Sequence, residues 1–106
     1  GDLKEGQVLS VNDLLYITLV ESSNRGAFAL AEVMGVDNFI ATMNENARKL
    51  GLLQTHFEDS TGLDAKSFSS AKDVAVLAQY LYETYPLFVF PISALLASRI
   101  TGISAY

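Results

Sequence analysis

Apolar residues recur along the first half of the chain in blocks that predict helices separated by short polar links. Residues 14–20 are almost wholly apolar, and Ser10 and Asp13 precede them as a helix start, where a hydroxyl and a carboxylate suit the free amides of the first turn. A first helix is therefore expected to the end of this block. A second helix should run from about Asn24, because its apolar residues recur at helical spacing up to Gly35, a residue that suits a C-terminal stop.

Two more helices are predicted after Gly35. Asp37 is expected to cap a third helix, which ends at Gly51 after basic residues in its last turn. Residues 54–68 predict a loop, since they are rich in Thr, Ser, Asp and Gly. A fourth helix should begin at a Ser70 cap and end before Pro86, because the residue preceding a proline is biased away from helix.

The C-terminal segment, residues 85–106, is apolar and carries Arg99 as its only charge. A membrane span is one interpretation of such a segment, but Pro86 and Pro91 favour a buried irregular segment or strand. Residues 99–103 have the β-branched character of a short strand.

Composition narrows the class of protein. With 106 residues, half of them hydrophobic, the chain is expected to form one folded domain or a piece of one. Its 7 basic and 12 acidic residues give a net charge of −5 without a basic run, which argues against nucleic-acid binding. There is no cysteine, so disulfides and thiolate metal sites are excluded.

Ser22-Ser23-Asn24 is the segment most indicative of chemistry. It places a hydroxyl and an amide two residues apart on the link between the first two predicted helices, where both groups can point into a cleft. The alternative is that Ser22 and Asn24 only cap the second helix, a role for which both residue types are well suited.

Three blocks of the chain resemble, in order and spacing, the serine D-alanyl-D-alanine carboxypeptidases, the low-molecular-mass penicillin-binding proteins. They are LLYITLVESSNRGAFALAE at 14–32, MNENARKLGLLQTHFEDSTGLD at 43–64 and SSAKDVAVLAQY at 69–80. The resemblance implies a mainly α chain, the helical subdomain of the β-lactamase/transpeptidase-like fold, with a short strand at its C-terminal end. Residues 1–106 would be a single domain, a fragment of the catalytic domain. Arg25 differs from the aspartate usual in the family.

The resemblance also implies a function. The parent enzyme would hydrolyse the terminal D-alanine from peptidoglycan stem peptides through an acyl-serine intermediate, react with β-lactams, need no cofactor or metal and act in the bacterial cell envelope. Ser22 would relay a proton between the family's lysine and the leaving amine, and Asn24 would hydrogen-bond the substrate or that lysine. The family's S-x-x-K nucleophile and K-T-G elements are missing here, so we expect the isolated chain to be inactive.

Other interpretations remain open. The chain could be a non-catalytic binding or assembly module that self-associates through an uncovered apolar face, or a fragment of a related β-lactamase. Ser69 to Lys72 spell S-x-x-K, but they follow the S-x-N element instead of preceding it, and we expect a helix cap there. Ile100 occupies the place of the lysine in a K-T-G triplet, and His56 is expected to be a packed surface histidine.

Overall fold

The computed structural model describes residues 3–101, with side chains as far as Ala97, and contains five α-helices. They are α1 (Val11–Val20), α2 (Asn24–Glu32), α3 (Val36–Lys49), α4 (Ala71–Thr84) and α5 (Pro86–Thr101). Helix α1 packs against α2 and α5, α2 against α3, and α4 against α5, so the helices form one row in the order α3, α2, α1, α5, α4. Within residues 3–101 there is no strand, only an isolated antiparallel bridge between His56 and Phe68.

Serine hydroxyls start two of these helices as predicted. Ser10 Oγ accepts the Asp13 N–H at 3.0 Å at the start of α1, and Ser70 Oγ accepts the Asp73 N–H at 3.1 Å at the start of α4. Each bond satisfies a first-turn amide that has no partner within its own helix. Both caps are confirmed.

The start of α3 corrects the prediction for Asp37. Gly35 holds the N-cap position with φ 87°, a left-handed conformation that favours glycine, and it makes no side-chain cap bond. Asp37 lies inside the first turn instead, where a carboxylate still suits the positive end of the helix dipole. Helix α2 ends at Glu32, so Gly35 starts α3 instead of stopping α2, and α3 begins two residues earlier than a cap at Asp37 would allow.

The end of α3 follows the prediction for Gly51. The Gly51 N–H donates to the Arg48 carbonyl at 3.0 Å, the Leu52 N–H donates to the Ala47 carbonyl at 2.8 Å, and Gly51 has φ 76°. This is the Schellman pattern of helix termination. It turns Leu52 into the core, where only 3% of its surface is exposed.

The C-terminal segment is helical, so the predicted irregular segment or strand is wrong. Arg99 lies in α5, as do residues 100 and 101, while residues 102 and 103 lie outside the described residues. Pro86 begins α5, because its fixed φ suits a first helical position and its missing N–H is not needed there. Pro91 lies in the helix interior, where it cannot donate to a carbonyl one turn earlier.

No helix of the described part reaches the length and hydrophobicity that a membrane span requires.

The core is small. Its buried hydrophobic residues are Ala27, Ala31, Ala47, Leu52 and Ile92, and among the described residues no large side chain is fully buried. Many large apolar side chains are exposed, among them Val33, Leu87 and Phe90. The helices therefore present apolar faces that this part of the chain does not cover.

The α3–α4 loop is held to the helices by polar side chains. The side-chain amide of Asn44 makes two hydrogen bonds to the backbone of Phe57. Asn44 Nδ2 donates to the Phe57 carbonyl, and Asn44 Oδ1 accepts the Phe57 N–H, each at 2.8 Å. This pair fixes the loop to α3, 13 residues away in the sequence.

Candidate active site

The link between α1 and α2 gives Ser22 an unusual backbone. Ser22 has φ 54° and is the only non-glycine residue with positive φ in the described part of the chain. For a residue with a side chain this conformation costs roughly 1–2 kcal/mol. Strain of this kind clusters at functional sites, so the backbone of Ser22 is a reason to propose a functional role for this residue.

Ser23, not Ser22 or Asn24, caps α2. Ser23 Oγ accepts the Gly26 N–H at 3.0 Å, while Asn24 is the first residue of the helix. The alternative that Ser22 and Asn24 serve as caps is therefore wrong. Neither side chain hydrogen-bonds any described group, and both residues are exposed, so both remain available to a ligand.

A depression of about 320 Å³ lies beside this link, and we call it the Ser22 depression. One wall comes from the α1–α2 link, and the other comes from the α3–α4 loop. Its lining residues are Thr18, Leu19, Ser22, Ser23, Asn24, Ala27, Ser60 and Thr61. Ser60 and Thr61 were not singled out from the sequence, because only the fold brings a loop some forty residues away to face Ser22 and Asn24.

A second depression, of about 500 Å³, adjoins the first. Asn24 and Thr61 line both, so they form the boundary between the two. Arg25 also lines the second depression, and its Nη1 donates to the Leu3 carbonyl at 2.9 Å. The arginine that departs from the family's usual aspartate thus holds the N-terminal segment beside the site.

Asp59 holds the loop wall in place. Its carboxylate accepts the N–H groups of Gly62 and Asp64, each at 2.8 Å, and the Thr61 hydroxyl at 3.0 Å. Partial burial acts to raise the pKa of Asp59, but these hydrogen bonds outweigh it and keep the pKa below its ordinary value. The carboxylate is therefore ionised at neutral pH, and the loop keeps its shape there.

Asp73 joins the other end of this loop to α4. It is 7% exposed, and its Oδ2 accepts the Gln54 N–H at 2.9 Å and the Thr55 hydroxyl at 2.7 Å. The sequence predicted only a cap at this place. Asp73 instead takes part in both the cap and the attachment of the loop.

The S-x-x-K segment from Ser69 to Lys72 lies at the start of α4, where Ser70 is the N-cap. Ser69 Oγ lies 2.8 Å from Thr55 Oγ1, and the Thr55 proton is already donated to Asp73. Ser69 must therefore donate its own proton to Thr55. No hydrogen bond joins Ser69 to Lys72, which is exposed, so no base within the described residues activates Ser69.

His56 makes local contacts. Its Nε2 lies 2.6 Å from Glu58 Oε2, and its ring lies 5.8 Å from that of Phe68. Both contacts belong to the loop that carries it, as expected for a packed surface histidine. The described residues contain no group of three or more His, Cys, Asp or Glu side chains placed to hold a metal ion.

The site as described can bind and orient polar groups, but it holds no activated nucleophile. Ser22 and Asn24 offer a donor and acceptor each, and no lysine side chain in residues 3–101 hydrogen-bonds either of them. Acyl transfer requires a nucleophile with a base beside it. That pair would have to come from elsewhere.

The chain is similar to known proteins in both sequence and fold. The sequence model of the D-alanyl-D-alanine carboxypeptidase family matches residues 2–92. The chain is 44% identical over 89 residues to the D-alanyl-D-alanine carboxypeptidase DacD of Salmonella typhimurium, covering 81% of this chain and 23% of that protein. It is 43% identical over 74 residues to a D-alanyl-D-alanine endopeptidase of Haemophilus influenzae, covering 68% of this chain and 25% of the relative.

A solved structure agrees with these sequence matches. An evolved penicillin-binding protein homologue from Mycobacterium tuberculosis superposes with a TM-score of 0.78 at 34% identity, covering 86% of this chain and 35% of that one. The chain thus spans about a quarter of the length of its curated relatives. Its helices have the arrangement of the helical subdomain of such a protein. By its family match and by its fold, the chain belongs to the D-alanyl-D-alanine carboxypeptidase family.

Proposed function

We propose that this chain supplies the S-x-N wall in the active site of a serine D-alanyl-D-alanine carboxypeptidase. The observation that carries the proposal is that different residues around the α1–α2 link start the helix and line the depression. Ser23 takes the cap, and Ser22 and Asn24 are left without partners on the lining of one depression. A link that served only to start α2 would not need two uncommitted polar groups beside its cap.

The proposed reaction assigns each residue a role. The complete enzyme cleaves the terminal D-alanine from a peptidoglycan stem peptide, and the acyl group is held on a serine until water releases it. Ser22 passes a proton between the active-site lysine and the leaving amine, and Asn24 hydrogen-bonds the substrate backbone or that lysine. Membership of the carboxypeptidase family favours this activity over that of a β-lactamase.

Location and ligands follow from the same proposal. Peptidoglycan lies outside the cytoplasmic membrane, so the enzyme would act in the cell envelope. β-Lactams would acylate the same serine as the peptide substrate.

We expect no covalent labelling when the isolated chain is incubated with a fluorescent penicillin. The family's nucleophile and lysine are not in the chain, and Ser69 has no base beside it. Labelling is read by gel fluorescence and intact mass, with a full-length carboxypeptidase of the family as the positive control. A covalent adduct, above all one mapped to Ser69, would contradict the prediction.

A second candidate function is an assembly module, and the exposed apolar surface favours it. A depression of about 260 Å³ between α1, α2 and α3 is lined only by apolar residues, namely Val11, Leu15, Leu30, Val33, Met34 and Phe39. Such a surface recruits a second copy or the remaining segments of a carboxypeptidase.

If the chain self-associates, light scattering is expected to show an average molar mass that rises with protein concentration. Met34→Lys places a charge in the apolar depression and should lower that molar mass. Lys72→Ala, on the exposed face of α4, serves as the control and should leave the mass unchanged. A monomer at high concentration that also fails to bind the missing segments would exclude the assembly function.

A further inference from the structure

The polar groups that line the Ser22 depression divide into committed and uncommitted ones. Ser23 Oγ accepts the Gly26 N–H, and Thr61 Oγ1 both donates to Asp59 and accepts the Leu63 N–H at 3.2 Å. The Thr18 hydroxyl has no partner, but its oxygen is buried and out of reach of a ligand.

Three polar side chains of this lining remain uncommitted, those of Ser22, Asn24 and Ser60. None of them hydrogen-bonds any described group. Ser22 lies on the α1–α2 link and Asn24 is the first residue of α2, whereas Ser60 lies on the α3–α4 loop that lines the same depression. Groups available for a ligand are thus present on both walls of the depression.

We propose that Ser60 is a third substrate-contacting residue, which hydrogen-bonds the peptide backbone from the wall opposite Ser22 and Asn24. This inference rests on the proposed function. An extended peptide has N–H and C=O groups along both edges, so a peptide held by Asn24 on one side needs a partner on the other. A serine hydroxyl can meet either group, because it both donates and accepts.

The loop gives Ser60 a fixed position. Asp59 precedes it, and its carboxylate accepts the N–H groups of Gly62 and Asp64, so the backbone that follows Ser60 is tied back to the residue before it. Ser60 is itself half-buried. A hydroxyl placed in advance loses little freedom when a ligand binds, and its hydrogen bond therefore contributes more to affinity.

The contact differs from a merely structural role. Ser60 makes no hydrogen bond that supports the loop, so its removal should leave the fold intact and change only the binding of ligand. Thr61, in contrast, supports the loop with both of its bonds. Ser60 is therefore the residue of this wall at which binding and folding can be measured separately.

The test is an NMR titration of the full 106-residue chain with diacetyl-L-lysyl-D-alanyl-D-alanine, a mimic of the stem-peptide end. Ser60→Ala is expected to weaken binding roughly 2- to 13-fold, the range for loss of one neutral hydrogen bond, with an unchanged melting temperature. Ser60→Thr keeps the hydroxyl and should restore most of the affinity. Thr42→Ala, whose hydroxyl donates to the Asn38 carbonyl of α3 at 2.8 Å, is the matched control and should bind as the unsubstituted chain does.

The outcomes separate the two proposals. If Asn24→Ala weakens binding while Ser60→Ala does not, the Ser60 contact is wrong and the S-x-N wall stands. If the unsubstituted chain does not bind the peptide, the Ser60 contact is wrong for this chain. If the chain binds the peptide and Asn24→Ala leaves binding unchanged, the proposed function fails and the Ser60 contact fails with it.

Discussion

Replacing Asp73 by alanine is expected to lower the free energy of unfolding by about 3 kcal/mol, the largest effect of any substitution considered for this chain. Its carboxylate is buried and accepts two hydrogen bonds, from the Gln54 N–H and the Thr55 hydroxyl. Bonds to a charged group contribute about 1.5–3 kcal/mol each, although two bonds to one group are not additive. The bond from the Asp73 N–H to Ser70 survives, so the change isolates the side chain.

The measurement is urea unfolding followed by circular dichroism. Asp73→Asn keeps an acceptor oxygen and should lose less stability than Asp73→Ala. Asp37→Ala is the control, because Asp37 also lies in the first turn of a helix but is exposed, and its loss should stay below about 1 kcal/mol. Equal losses for the Asp73 and Asp37 variants would show that Asp73 contributes only as a first-turn charge.

Gly26→Ala is expected to destabilise the chain by about 1–2 kcal/mol, the reverse of the usual effect of this substitution in a helix. Alanine alone would favour a helix by up to about 1 kcal/mol. At Gly26, however, a β-carbon would overlap the Thr18 hydroxyl and lie 3.4 Å from Thr18 Cα, because α1 and α2 approach closely there. Overpacking of this kind costs about 1–3 kcal/mol, which outweighs the gain in propensity.

A double-mutant cycle identifies the cause. Thr18→Ala removes the overlapping hydroxyl, which has no hydrogen-bond partner to lose. In that background Gly26→Ala should cost nothing or stabilise the helix, and the coupling between the two sites should exceed 1 kcal/mol. Thermal denaturation of the four proteins gives the coupling directly. If Gly26→Ala destabilises both backgrounds equally, the contact with Thr18 is not the reason.

Helix boundaries were predictable wherever the signal was local. The caps at Ser10 and Ser70 each involve an amide three residues away, and the turn at Gly51 needs a residue that tolerates positive φ. The start of α3 was misplaced because Gly35 was assigned to the end of the second helix, whereas its positive φ in the fold lets it start α3.

The C-terminal segment shows why the strand prediction failed. β-Branched residues favour a strand only where another strand accepts its backbone hydrogen bonds, and residues 3–101 contain none. A helix satisfies its own backbone, and Pro86 provides a favourable first residue for it. Composition alone could not distinguish these outcomes.

The sequence by itself determined the family and the helices up to residue 84, and it singled out Ser22 and Asn24 as candidate site residues, because each of these rests on patterns between residues that are close in the sequence. Only the tertiary structure decided that Ser23 takes the cap, that Asp73 holds the loop 18 residues before it, and that Ser60 lines the same depression as Ser22 and Asn24. These features depend on contacts between distant residues. Such contacts form when the helices pack and the loop lies against them. Neither a hydrophobic periodicity nor a short motif specifies which side chains then come into contact.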